Sequence, residues 1–206
     1  MSNTNTQTND DSFFAYVIIS EVEMRKGSIN RCIESFQDFY SSINKQLDDE
    51  YEKAKEEYKE ITTEEDFINY SNMDSYYEEE GIKNRIIYDE FMKFVCTYLY
   101  HSFESTKAFC KSIIRERKQS FSNVQQKKIK VFEDFLNNNN VLKELRGVNN
   151  CFKHNDGIVS KELSQTCPKW KEGEKIVIDF QKEEEFLKEV NGEMDRIIEE
   201  FKKAWY

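Results

Sequence analysis

A chain of 206 residues with one proline, six glycines and abundant Glu, Lys, Phe, Ile and Leu excludes a turn-rich β protein and points to long helices around one core. Its 30 basic against 40 acidic residues give a formal net charge of −10 and a pI near 4.9, which disfavours indiscriminate binding to nucleic acid or anionic membrane but leaves room for a local basic face. Five scattered cysteines without a CxxC pair exclude a disulfide framework and a ribbon-type zinc site.

The first residues, 1–11, are polar and acidic, unlike a signal peptide, and read as a disordered tail. The apolar run after them, "FFAYVII", is too short to span a bilayer, so the expectation is a cytoplasmic protein with no membrane partner. A helix is expected from Ser12, an N-cap before Phe13. Along it Ile29, Ile33, Phe36, Tyr40, Ile43 and Leu47 recur at alternating steps of four and three and form one stripe. This helix is expected to continue through the charged "DDEYEKAKEEYKE".

Residues 61–81 are acidic and lack a clean period, which reads as an insertion, either a short helix or a mobile loop. A second long helix is predicted over about 83–117, with Ile87, Phe91, Phe94, Val95, Tyr98 and Leu99 on its face. After the break "KQSFSN", a third helix is predicted over about 123–136, and Asn137–Asn140 form a turn and N-cap cluster. In the fourth helix Val141, Leu145, Val148 and Phe152 make the core stripe. It stops at "HNDG", where Asn155 and Gly157 suit a left-handed end. "EKIVIDF" alternates enough for a short strand, and a last amphipathic helix over about 182–206 carries Leu187, Val190, Met194, Ile197 and Phe201. The expected fold is all-α: a bundle of about five helices with long antiparallel helices and a short β segment near the C-terminus. A single domain would span 12–206 and carry the acidic insertion.

The fourth helix also carries "LRGVNNCFKHNDG", Leu145–Gly157, and with it one of the two histidines. Arg146, Asn150 and His154 stand at i, i+4 and i+8, a polar row about 12 Å long. The row is expected beside the apolar stripe and partly desolvated. There a histidine can be held in one tautomer near neutrality, with Asp156 close enough to orient it and with Asn149 and Lys153 on its flanks.

This segment, "NNCFKHNDGIVSKEL", resembles the motif of helical HEPN domains, which carry an Arg, then a polar residue, then a His near a helix end, often followed by Asn, Asp or Gly. His154 falls on the family's His and Asn150 on its polar residue. The late β-type segment and the closing helix also fit some members. The resemblance covers the C-terminal third by motif and the rest by helical character. In its commonest spacing the family's Arg position falls on Asn149; the nearest Arg is Arg146, one turn or about 5.4 Å earlier.

The resemblance implies a metal-independent endoribonuclease of the toxin–antitoxin or phage-defence kind. His154 would move protons and Arg146 would fork onto the phosphate, with Asn150 between them and Asn149, Lys153 and Asp156 as auxiliary groups. Family sites of this kind form where two protomers join their motifs. That implies a homodimer, an RNA substrate, a protein partner such as an antitoxin, and no metal or other cofactor. The alternative is a catalytically silent HEPN-like subunit that binds a partner or regulates one.

Other signals are weaker. Cys151, His154 and Cys167 fall short of a four-ligand zinc set, so core or helix-end roles are expected of them. His101 reads as a core-edge residue. The one basic region holds Lys111, Arg115, Arg117, Lys118, Lys127, Lys128 and Lys130. It is a candidate track for an RNA backbone, a dock for an acidic partner or a solvated helix corner, and the acidic stretch Asp48–Glu80 is a candidate to mask it.

Overall fold

The structure, a computed structural model, describes residues 4–60, 63–117, 119, 121–178 and 180–205; the side chains of 4–12, 180, 181 and 183 lie outside that description. Six helices occur among the described residues: α1 (Thr4–Glu57), α2 (Glu64–Arg117), α3 (Asn123–Asn137), α4 (Asn140–His154), α5 (Lys161–Thr166) and α6 (Phe180–Trp205). The chain divides into two compact units. One holds residues 1–30 and 93–206, the other residues 31–92.

The smaller unit is an antiparallel helical hairpin. Steps along α1 are matched within one residue by opposite steps along α2: Phe36 stacks on Phe91, Tyr40 meets Tyr88, Tyr51 meets Tyr77 and Tyr58 meets Tyr70. The better-covered positions of α1, such as Ile33, Tyr40, Leu47 and Ala54, recur every seven residues, the period of a two-stranded coiled coil. A polar layer interrupts the seam where Asn84 Nδ2 donates to Asn44 Oδ1 at 3.3 Å.

α2 begins where the sequence supplies a reciprocal cap. The Thr63 hydroxyl accepts from the Asp66 amide at 3.1 Å, and the Asp66 carboxylate accepts from the Thr63 amide at 3.0 Å. Glu64, Glu65 and Asp66 fill the first turn, where the helix dipole favours negative charge. The expected insertion is therefore helical over 64–81 and continuous with the second long helix; positions 61 and 62 lie outside the described residues.

The larger unit is the bundle. α6 is its hub: α3 and α4 pack on it, and α1 is tied to it by the Lys26–Asp195 ion pair at 2.7 Å and by Asn191 Nδ2 donating to Asn30 Oδ1 at 2.8 Å. Phe103, Phe132 and Phe201 are fully buried, and Phe132 meets Phe201 edge-on at 5.5 Å. α3 starts on a capping box between Ser122 and Gln125, and α4 on the Asn139 side chain, which accepts from the Leu142 amide. Gly147 lets α5 approach α4, since a Cβ there would stand 2.7 Å from Leu163 Cδ1.

Four expectations need correction. No strand occurs among the described residues; "EKIVIDF" contributes only the isolated bridge Ile158–Lys175, because the segment that pairs with it, residues 157–159, runs straight into the Ser160 cap of α5 and leaves no length for a ladder. α1 begins at Thr4, so Ser12 lies inside the helix and is not its N-cap. On α2 the buried stripe runs through Tyr88, Met92, Val95, Cys96, Leu99 and Phe103, which leaves Ile87 and Phe94 about half exposed. After α4 the left-handed residues are Asp156 (φ 49°) and Gly157 (φ 75°), as expected for Gly157, while Asn155 at φ −143° and ψ 26° is not left-handed.

Candidate functional site

α4 is held on its buried face by Leu142, Leu145, Val148 and Cys151, and also by Asn149. Asn149 is 2% exposed, and its Oδ1 accepts from the Thr97 hydroxyl of α2 at 2.7 Å. It locks two helices together and does not face solvent. The helix ends on a tight turn in which the Asn155 and Gly157 amides both donate to the Cys151 carbonyl at 3.0 Å. The Ser160 amide donates to Cys151 Sγ at 3.4 Å.

Arg146, Asn150 and His154 are all exposed, as are Lys153 and Asp156. They form a row as expected, but the row does not stay beside the apolar stripe. Four residues exceed one helical turn, so each i+4 step rotates the row by about 40°, and by His154 it has moved to the face opposite Leu145. No hydrogen bond joins His154 to Asp156 among the described residues. His101 is likewise exposed, its ring 5.2 Å from that of Tyr100, and it is not a core-edge residue.

The basic region forms a groove of about 820 Å³ between the end of α2 and α3. Lys111, Arg115, Lys127 and Lys130 line it together with the buried Ile114, Phe121 and Ile129; Glu133 and Asp134 also border it. Lys111 Nζ donates across to Asn137 Oδ1 at 2.5 Å. Arg117 sits over the Phe14 ring at 3.4 Å, which ties it to α1, while Lys128 is exposed on α3 and does not line the groove. Lys118 lies outside the described residues.

A third constellation was not legible in the sequence. Glu144, on the buried side of α4, accepts from Trp170 Nε1 at 2.8 Å and pairs with Lys169 Nζ at 2.8 Å; Lys169 also stands 3.6 Å from Glu189 of α6. Burial alone would lower the Lys169 pKa, but the hydrogen bond and charge of Glu144, with the charge of Glu189, raise it above its usual value. Trp170 and Phe186 stack beside a cavity of about 300 Å³ rimmed by Lys169, Lys171, Lys175 and Lys182. Glu144 Oε1 takes both Trp170 and Lys169, which fits a clamp joining α4, the loop after α5 and α6. Only the helical spacing of Glu144 with Leu145 and Val148 hinted that it faces inward.

Two cysteines are held away from the thiolate form. Burial pushes the Cys110 thiol up to about 12, partly opposed by Arg25, and Cys167 is raised by burial and then by Glu144. Among the described residues no three His, Cys, Asp or Glu gather as a metal site, and no helix is long and apolar enough to cross a membrane. Compared with family models, curated proteins and solved structures, the chain finds no match.

Proposed function

We propose that this chain is an HEPN-like helical protein that works by binding a partner and not by cutting RNA, with the exposed row of α4 as its contact surface. One observation carries this. Asn149, at the position where the resemblance expects the family's Arg, is buried and bonded to Thr97. The side chain at that position is committed to holding α4 on α2 and is closed off from solvent. What remains outside is Arg146, Asn150, Lys153 and His154, a cationic and amide-bearing surface suited to carboxylates of a protein partner, whether a second copy or an antitoxin-type protein.

A second function, metal-independent RNA cleavage in a toxin or antiviral-defence system, is favoured by a different observation: Arg146, Asn150 and His154 are all exposed in one row and available to a homodimeric site. Cleavage of diverse RNA by the purified chain, with and without chelator, separates the two. The binding function predicts no cleavage by wild type, His154→Ala or Arg146→Ala. It also predicts that Asn149→Arg fails to create activity and lowers stability by about 1–3 kcal/mol, because the Thr97 bond is lost and a guanidinium is forced into the core. Chelator-resistant cleavage by wild type that His154→Ala abolishes would reverse the choice.

A further inference from the structure

The charge of this protein is divided unevenly. Residues 31–92 hold 7 of the 30 basic and 18 of the 40 acidic residues, a net of −11, which leaves +1 for all the rest. The hairpin therefore carries the whole acidic excess. At its tip the first turn of α2 presents Glu64, Glu65 and Asp66, followed at once by Phe67 (60% exposed) and Ile68 (52% exposed). Large apolar side chains left in water beside three carboxylates mark a contact surface more than a solvated helix start.

The groove between α2 and α3 has the complementary pattern. Its floor is apolar, from Ile114, Phe121 and Ile129, and its rim is net cationic: Lys111, Arg115, Lys127 and Lys130 outnumber the carboxylates of Glu133 and Asp134. Phe121 is buried edge-on against Trp205, so it offers no free face for a base to stack on. A floor for two apolar side chains inside a cationic rim suits a short amphipathic acidic helix better than a single nucleic-acid strand.

We infer that this groove receives the hairpin tip of a second copy of the chain, with Phe67 and Ile68 on the floor and the exposed Glu64 and Glu65 against the lysines and Arg115. Opposite charges across the contact set its register and make it salt-sensitive. Because the tip and the groove are different patches, the contact is heterologous. It closes into a two-fold dimer only when each copy gives its tip to the other; otherwise it propagates.

The test is sedimentation of the full chain at low salt, with circular dichroism to confirm folding. Wild type is expected to self-associate and to weaken roughly tenfold or more on moving from about 50 to 500 mM salt. Lys127→Glu with Lys130→Glu should abolish association, and so should Glu64→Lys with Glu65→Lys. Combining all four reversals should restore it, which loss of folding could not do. A wild type that stays monomeric at about 100 μM in low salt overturns the inference. So does association that ignores both pairs, or RNA binding lost with Lys127 and Lys130 while association persists. Association lost instead through Arg146→Ala and His154→Ala would place the contact on α4, favour the proposed partner surface there and exclude this one.

Discussion

The bundle and the hairpin use the same aromatic vocabulary to different ends. In the bundle a ring such as Phe201 is fully buried; Phe132 meets it edge-on and Trp205 packs against it at 5.2 Å, while Trp205 in turn meets Phe121. In the hairpin the rings meet in pairs across one seam, and Phe36, Tyr40, Tyr51, Tyr58, Tyr70, Tyr77 and Phe91 remain partly exposed. Two helices cover each other along a narrow line, whereas a bundle encloses a side chain from several directions. The number of aromatic residues thus does not measure core size; the number of elements converging on each ring does.

This contrast can be broken directly. Phe201→Ala should cost about 3–5 kcal/mol, since it removes a fully enclosed ring and leaves a cavity the bundle cannot collapse around. Phe36→Ala in the seam should cost about half of that or less, because water already reaches part of the ring and refills the space. Denaturant melts of the two variants check the ratio. Equal losses would show that the seam is as dry as the bundle.

The same contrast explains what the sequence made legible. α3, α4 and α6 were readable to within about two residues because each buries one broad stripe and starts or stops on a recognisable signal, such as Ser122 with Gln125 or the Asn138–Asn139 turn. The near half of α2 was not. A two-helix seam needs few apolar residues, so its inward positions include Asp66, Glu80 and Asn84, and the sevenfold period hides behind polar identities. The one local signal that marked its start, Thr63 with Asp66, was present in "TEED" and outweighed by the acidic composition. On α4 the spacing of Arg146, Asn150 and His154 makes a row on any helix. Which face it reaches depends on the accumulated 40° drift, and the inward role of Asn149 depends on Thr97, which lies 52 positions away in sequence.

A smaller effect is expected from the polar layer in the seam. Replacing Asn44 and Asn84 together with Leu removes their bond without leaving an amide unpaired and adds apolar contact, so stability should change by no more than about 1 kcal/mol and in the favourable direction. The cost should appear in specificity: a seam without its amide pair no longer distinguishes the observed alignment from one shifted by a heptad. Cysteines placed at 40 and 88, which face each other across the seam, should crosslink cleanly in the parent and less completely in the Leu variant. Identical crosslinking would mean that the aromatic pairs alone hold the register.

The finest distinction lies in alkaline titration. Tyr51 donates to the Asp74 carboxylate at 2.7 Å, and that hydrogen bond, followed by burial and the charge of Asp74, raises its pKa from 10.0 to about 12. The folded hairpin holds this proton more tightly than the unfolded chain does. Its contribution to stability is therefore fully present below about pH 10 and is lost as pH rises from 10 toward 12. Tyr51→Phe should leave the melting temperature nearly unchanged at pH 11.5, where wild type has already lost most of the benefit, and lower it slightly at pH 8. In ultraviolet titration the variant should lack one late phenolate transition near pH 12. A wild type whose stability is flat between pH 10 and 12 while the fold persists would show that the Tyr51–Asp74 bond is not held in solution, and that water reaches the seam there as freely as it reaches the hairpin's outer faces.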